Sequence, residues 1–436
     1  MLIRYKNNAE SSLAVETTAL DTTLTIYDVL KFPAAPFYLR IGTDEAHQVV
    51  KVISRSFEPD LFLLDAAIGS VYPIGTPVKI TVCSELLDYF QQAIPISTAI
   101  HVGGDTPDYA TLAEVVEVYG QELVAPTAGL EILLHGHFDE TLSSADFADA
   151  SRIVIRGDDV LGVTLTSVQS SSGSAGNRSI VLNLASVTGL SVGDIVQGYP
   201  ENLSGGTNPE ALIGAFKITD VDAVNDRITI HSTHWGSTAP SGAITGDLFI
   251  YTTVIAGLAL SDFGFKEFSN IAITNGRTGT GVSLRGQRPS LSPGIMVVDC
   301  TTGIDVEAGS AYSFFGTVSN CGTGLIVNGG TINATFVIAT GCEVGAVLSR
   351  NASFDGDMNI LGCDEGLQVS QGATCHLTDL GEWAAVAIKD TVGTAIHAST
   401  YGYVLVETIV VSGNGTDYSP ALNTQGNKFG YIDDGT

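Results

Sequence analysis

Positive charge is what this chain lacks most. Its 436 residues hold 19 Lys and Arg against 47 Asp and Glu, a formal net charge of −28. A nucleic-acid backbone and an anionic membrane surface are both bound through clustered cations, so neither is expected as a partner. Long apolar runs are missing too: nothing approaches the roughly 20 residues of a membrane-spanning helix, so no membrane insertion is expected. The start, MLIRYKNNAESSL, has charge but no apolar h-region. No signal peptide is therefore expected, and synthesis in a cytosol, where thiols stay reduced, follows. There is no C-x-x-C pair for a structural zinc, no G-x-S-x-G nucleophile elbow and no phosphate-cradling glycine loop. The acidic GDTPD and IDDGT stretches lack the regular D-x-D-x-D-G calcium loop. No cofactor or metal is expected.

Four of the six cysteines are regularly spaced. Cys300, Cys321, Cys342 and Cys363 stand 21 residues apart in VVDCTTGI, VSNCGTGL, ATGCEVGA and ILGCDEGL. The residues that follow repeat with them: Gly303, Gly324, Gly345 and Gly366, then Val306, Val327, Leu348 and Val369. This is a half-buried strand recurring at a fixed interval, with little sign of helix. A repeat of this length built from short strands points to a β-solenoid in which equal positions stack at about 4.8 Å. The fold class expected is all-β, a parallel β-helix with coils of about 21 residues. Looser copies flank the core ones, GTGVSL before and VSGNGTDY after, with Asn414 where the cysteine would stand. The cysteines are then a structural ladder (Cys300, Cys321, Cys342, Cys363, Asn414) of small residues at a buried corner, with free thiols.

The first half is organised differently. Alternating strands broken by Pro, Gly and Asp run from Thr22 to Cys83, indicating a small antiparallel β domain over residues 1–95. In TPDYATLAEVVEVYG, Leu112, Val115, Val116 and Tyr119 fall at helical spacing, and Thr106 or Asp108 is placed to cap the start. This short helix and the strands GLEILLHGHFDETL and IVIRGDD occupy residues 96–165, where the helix would cover the open end of the first coils. A second antiparallel pattern, from Ser179 to Thr233, is expected to be a small β domain inserted over residues 166–252, flanked by a flexible SVQSSSGSAGN. The β-helix proper then spans 253–436. Whether the insertion packs beside the shaft or contacts another protein is left open by the sequence.

IHVGGDTPDYATLAEVV, GLEILLHGHFDETL and IVIRGDD resemble the capped start of phage tailspikes and tail fibres with a right-handed parallel β-helix. The Thr22–Cys83 pattern resembles the small β modules at the N-termini of phage tail proteins, and NRSIVLNLASVTGLSVGDIV with GAFKITDVDAVNDRITI resembles an insertion common in tail-fibre proteins. The resemblance implies a virion protein made in the bacterial host cytoplasm. It further implies a homotrimer docked through its N-terminus on a phage tail or baseplate protein, presenting the β-helix for host attachment. The chain stops at YIDDGT without a long trimerisation or chaperone domain, leaving room for a distal fibre protein at the C-terminus.

Many tailspikes cleave polysaccharide with paired carboxylates, which stand roughly 5–9.5 Å apart in glycosidases. Asp355, Asp357, Asp364, Glu365, Asp379 and Glu382 are the candidate outward acids. Asp355 and His376 lie 13 residues after their respective cysteines and should be neighbours on adjacent coils. Trp383 could stack on a sugar ring. Two histidine pairs, His135/His137 and His231/His234, have metal-like spacing without an obvious third ligand. Attachment to host surface polysaccharide is preferred over a depolymerase (glycosidase or lyase). A secreted cellular lyase or adhesin is disfavoured.

Overall fold

The computed structural model describes residues 10–27, 32, 37–43, 47–57, 60–80, 99–120, 130–236, 238–261, 264–307, 311–377, 387–406, 410–421 and 431–433. The chain forms two units, Met1–Pro95 with Glu122–Thr127, and Ile96–Gln121 with Ala128–Thr436.

In the first unit six antiparallel strands pair in the order Glu10–Ser12, Pro77–Ile80, Phe37–Gly42, His47–Phe57, Asp60–Leu64, Thr23–Thr25. Alternate residues face inward, and Leu24, Leu39, Ile41, Val52, Phe62 and Val78 form one core, with Phe32 edge-on to Phe62 at 5.2 Å. Such a sheet, polar on one side and apolar on the other, is what the period-two pattern requires.

The second unit opens with a four-stranded parallel sheet, Glu267–Ser269, Ile153–Gly157, Leu130–His135, Ile100–Gly103. Helix α1, Leu112–Tyr119, buries Leu112 and Val115. Its N-cap is Thr111, in a capping box with Glu114, rather than Thr106 or Asp108. Asp108 instead accepts the backbone N–H of His101 at 2.9 Å. Glu140 accepts the N–H groups of Leu112 and Ala113 at 3.2 and 3.3 Å, tying the helix to the strand His137–Ser143. That strand has Val254–Leu260 as its ladder partner.

The remainder winds as a parallel β-helix. On one face Ile304, Leu325, Ala346, Leu367 and Ile396 are successive ladder partners, all fully buried. Backbone bonds run from the residue after each rung to the rung below: Gly322 to Cys300, Glu343 to Cys321, Asp364 to Cys342, Val392 to Cys363 and Gly415 to Thr391. The ladder is therefore Cys300, Cys321, Cys342, Cys363, Thr391, Asn414, and Thr391 is a rung that its irregular spacing hides. Seven extra residues in that coil fall between Leu377 and Ala387, so the strands on either side keep register.

Immediately before each rung sits Asp299, Asn320, Gly341, Gly362, Asp390 or Gly413, every one left-handed with φ between 52° and 73°. Only Gly, Asn and Asp enter this region at low cost, so the turn restricts the residue before each rung to those types. The rung itself must be small and tolerate burial. Burial pushes the thiols of Cys321 and Cys363 well above their ordinary value, which keeps them inert. Asn414 caps the series by accepting the Thr391 N–H at 2.9 Å and donating to the Ile388 carbonyl.

Between Ile153–Gly157 and Val254–Leu260 the chain leaves the coil to form a closed antiparallel barrel, Leu161–Ser174, Asn177–Leu184, Arg227–Ser232, Gly214–Asp222, Ile195–Ser204, Thr245–Tyr251. It begins at Leu161 rather than residue 166. The serine-rich stretch expected to be flexible is part of the long strand Leu161–Ser174 and turns at Ala175–Gly176 into its partner. Its serines suit the solvent side of a two-stranded ribbon, where no core contact is needed.

The barrel packs against the side of the shaft. Ile195 and Ala215 cluster with Val254, Ala272, Met296 and Val298, and Ile213 with Ile338, Leu361 and Ala387. Polar contacts fix the docking: Ala215 N–H to Ser319 at 2.8 Å, Gln197 to Thr317 at 3.0 Å, Thr233 N–H to Asn320 at 3.0 Å and Trp235 N–H to the Gly362 carbonyl at 2.7 Å. His234 is 1% exposed, wedged where any side chain at Gly362 would strike its ring.

Replacing Cys342 by Ser is expected to lower stability by about 1–3 kcal/mol, the cost of a poorly matched buried hydroxyl. It should leave the metal content of the purified protein unchanged. Loss of a bound metal would overturn the structural role of the ladder. A second expectation concerns acid. Burial, and then the neighbouring Arg178 charge, hold the His234 pKa down at about 4, against roughly 6.5 in an unfolded chain. His234 therefore favours the folded state fully above pH 6.5 and progressively less as the pH falls toward 4. Between pH 7 and 4.5 the loss should be about 2–3 kcal/mol by thermal unfolding, and His234→Gln should flatten that slope.

Candidate functional site

Two places on the second unit bring chemistry-bearing side chains together. The first is the pair read from the repeat. Asp355 on Ser353–Leu361 lies opposite His376 on Thr374–Leu377, with Oδ1 and Nδ1 3.0 Å apart; the Asp355 side chain is exposed and that of His376 half-buried. Asp357, expected among the outward acids, is 1% exposed instead. After Gly356 every residue of that strand is buried, and Leu361 packs against Ile213 of the barrel, so strand alternation no longer predicts exposure there. Asp364 is half-buried, and Glu365 accepts the Thr394 N–H at 2.9 Å, an architectural role. Asp379, Glu382 and Trp383 lie outside the described residues.

The second place is built by the first coils. Gly136, at φ 89°, turns a corner between Leu130–His135 and His137–Ser143. The corner sends His135 and His137 to different partners. His137 Nε2 meets Asp194 of the barrel at 2.8 Å. His135 Nδ1 meets Asp158 Oδ1 at 2.6 Å, while its Nε2 meets His101 Nδ1 at 2.9 Å. The two imidazoles are within 7° of parallel with centroids 5.1 Å apart, the geometry of rings joined edge to edge by a hydrogen bond.

The strand register explains the assembly. His101 is ladder partner to Leu133, and Gly103 to His135, while Gly157, the residue before Asp158, pairs with Leu134. Thr253 then holds Asp158. Its hydroxyl accepts the Asp158 N–H at 3.0 Å and lies 3.0 Å from the Leu134 carbonyl and 3.2 Å from Asp158 Oδ2. These groups line a groove of about 630 Å³ with Gly104, Asp105 and Phe138. A smaller cleft of about 400 Å³ continues from His137 toward Gly193 and Lys217 of the barrel and Asn275 of the shaft.

His231 and His234 likewise separate. His231 bonds Asn177 at 3.0 Å, and His234 is buried with its Nδ1 accepting the Gly236 N–H. Sequence reasoning missed His101, Asp158 and Thr253. The signal available was a shared ending, an apolar strand followed by glycine and an acid in IHVGGD, LLHGHFD and VIRGDD. Unequal loops between these segments conceal their stacking.

No protein-family model matches the chain, and no curated protein does. Among solved structures it is similar to the Gp54 tailspike of Acinetobacter baumannii bacteriophage AP22, solved in complex with A. baumannii capsular saccharide. That match has 11% identity over 70% of this chain and 63% of the other, with a TM-score of 0.21. It is also similar to the tailspike gp49 of Pseudomonas phage LKA1, at 13% identity over 78% of this chain and 69% of that one (TM-score 0.21). The tailspike gp61 of Pseudomonas phage phi297 matches at 12% identity over 74% and 69% (TM-score 0.20). The β-helix assignment itself rests on the ladder register described above.

Because the Asp355 carboxylate is exposed and screened by water, its coupling to His376 should be small. A double-mutant cycle with Asp355→Ala and His376→Ala should return less than about 1 kcal/mol at pH 5.

Proposed function

We propose that this chain is a tailspike-type attachment protein of a phage virion. In this reading the antiparallel unit at the N-terminus docks on a tail or baseplate protein. Three copies of the β-helix stand together, and the groove beside α1 receives a saccharide of the host surface. The observation that carries the reading is the rigid parallel β-helix with a groove that combines polar groups and the Phe138 ring. That combination suits a polyhydroxylated ligand, which needs directional hydrogen bonds and an apolar face. The acidic surface fits a neutral saccharide better than a polyanionic one.

Light scattering of the purified chain should give three times the 45.4 kDa protomer mass, and a monomer mass would count against the trimer. In a retention assay over a panel of bacterial surface polysaccharides, at least one should bind. Asp105→Ala should weaken that binding by about tenfold or more, as expected for loss of a charge-assisted hydrogen bond. Retention of none would sink the attachment reading.

A further inference from the structure

We propose that the groove formed by His101, His135 and Asp158 is a general-base site that hydrolyses an O-acyl ester carried by a neutral saccharide. This rests on the reading of the groove as a saccharide site and adds a reaction to it.

Counting protons along the chain of contacts assigns the tautomers. The Asp158 carboxylate accepts only, so the proton of the 2.6 Å contact sits on His135 Nδ1. Neutral His135 then offers a lone pair at Nε2, and the 2.9 Å contact must be donated by His101 Nδ1. Neutral His101 is left with a bare lone pair at Nε2. That atom has no hydrogen-bond partner among the described residues, on a side chain exposed in the groove. When Nε2 takes a proton, the imidazolium keeps its bond to His135, and the Asp158 charge lies at the far end of the same line. Asp158 is fixed by Thr253, so little reorganisation accompanies proton uptake.

The lining narrows the chemistry. A glycosidase needs two free carboxylates facing the scissile bond. Asp158 is engaged by His135, which leaves Asp105 as the other carboxylate among the described residues of the groove. Elimination from a uronate needs positive charge to neutralise its carboxylate, whereas among the described residues the groove is lined by Asp105 and Asp158 and by no Lys or Arg. Ester hydrolysis needs one positioned base and room for water, and the groove has both. In the step, water oxygen bonds to the acyl carbon while its proton passes to His101 Nε2. The tetrahedral intermediate then collapses, the bond from acyl carbon to sugar oxygen breaks, and the proton on Nε2 goes to that oxygen. The products are a carboxylic acid and a free sugar hydroxyl. His101 is the catalytic residue, while His135 and Asp158 position it.

The full chain should be assayed with 4-nitrophenyl acetate and, for acetate release, with O-acetylated members of the polysaccharide panel. The rate with either ester should rise with pH as the base loses its proton, and then level off. His101→Gln, an exposed position, should lose about 100-fold or more. Asp158→Asn should lower the plateau and move the titration to lower pH, because the imidazolium has lost its counter-charge. Nitrogen NMR on His101 should find Nε2 unprotonated in the neutral form, with that preference weakened in His135→Phe. An unchanged rate in His101→Gln would overturn the proposal, as would polysaccharide retention without acetate release. The latter result would leave the attachment reading standing, whereas absence of both retention and release would remove both.

Discussion

The structure depends on one constraint: every backbone donor of a coil must meet an acceptor one coil away. Parallel strands stacked along an axis satisfy this only if each coil reaches its corners at the same height. The residue before each rung therefore has to turn left-handed, which confines it to Asp299, Asn320, Gly341, Gly362, Asp390 and Gly413, types able to do so. The rung that follows must be small, as Cys, Thr and Asn are here, and the half-buried Asn414 is hydrogen-bonded in place. Length can vary only where no ladder passes. The long coil places its surplus between Leu377 and Ala387, and Ile360 still pairs with Ile388.

The docked barrel changes what the outside of the shaft means. Ser319, Thr317 and Asn320 look like surface residues of a strand, yet each is fully buried under the barrel and bonded to it. Asp357 and Asn359 are buried on Ser353–Leu361, two coils further on, where alternation alone would have exposed one side. The interface is partly apolar and partly a set of directional bonds to backbone groups, so it fixes orientation as well as contact. His234 and Arg178 are enclosed by the same packing, which is why protonation of that histidine is opposed.

The groove arises where stacking starts. His101, His135 and Asp158 come from three strands or their ends, separated by loops of different lengths, and they meet because parallel pairing brings Gly103, His135 and the end of Ile153–Gly157 to one level. A corner at Gly136 then sends His135 to Asp158 and His137 to Asp194 of the barrel.

The repeat made much of the fold legible. Equal spacing of the four cysteines with their glycines and valines determined the coil length, the inward positions and the neighbourhood of Asp355 and His376, because a regular ladder translates sequence distance directly into height. The antiparallel first unit and helix α1 were visible through period-two and helical spacing, although the cap shifted to Thr111. What lacked a fixed interval stayed hidden: Thr391 as a rung, the burial of Asp357, and the partnership of His101 with His135 and Asp158. Those depend on loop lengths and on the barrel covering the shaft, both set by tertiary packing. Local sequence thus determined the unit that repeats. Only the three-dimensional stack decided which side chains at its first coils would share a groove, since contact there follows from register between distant segments.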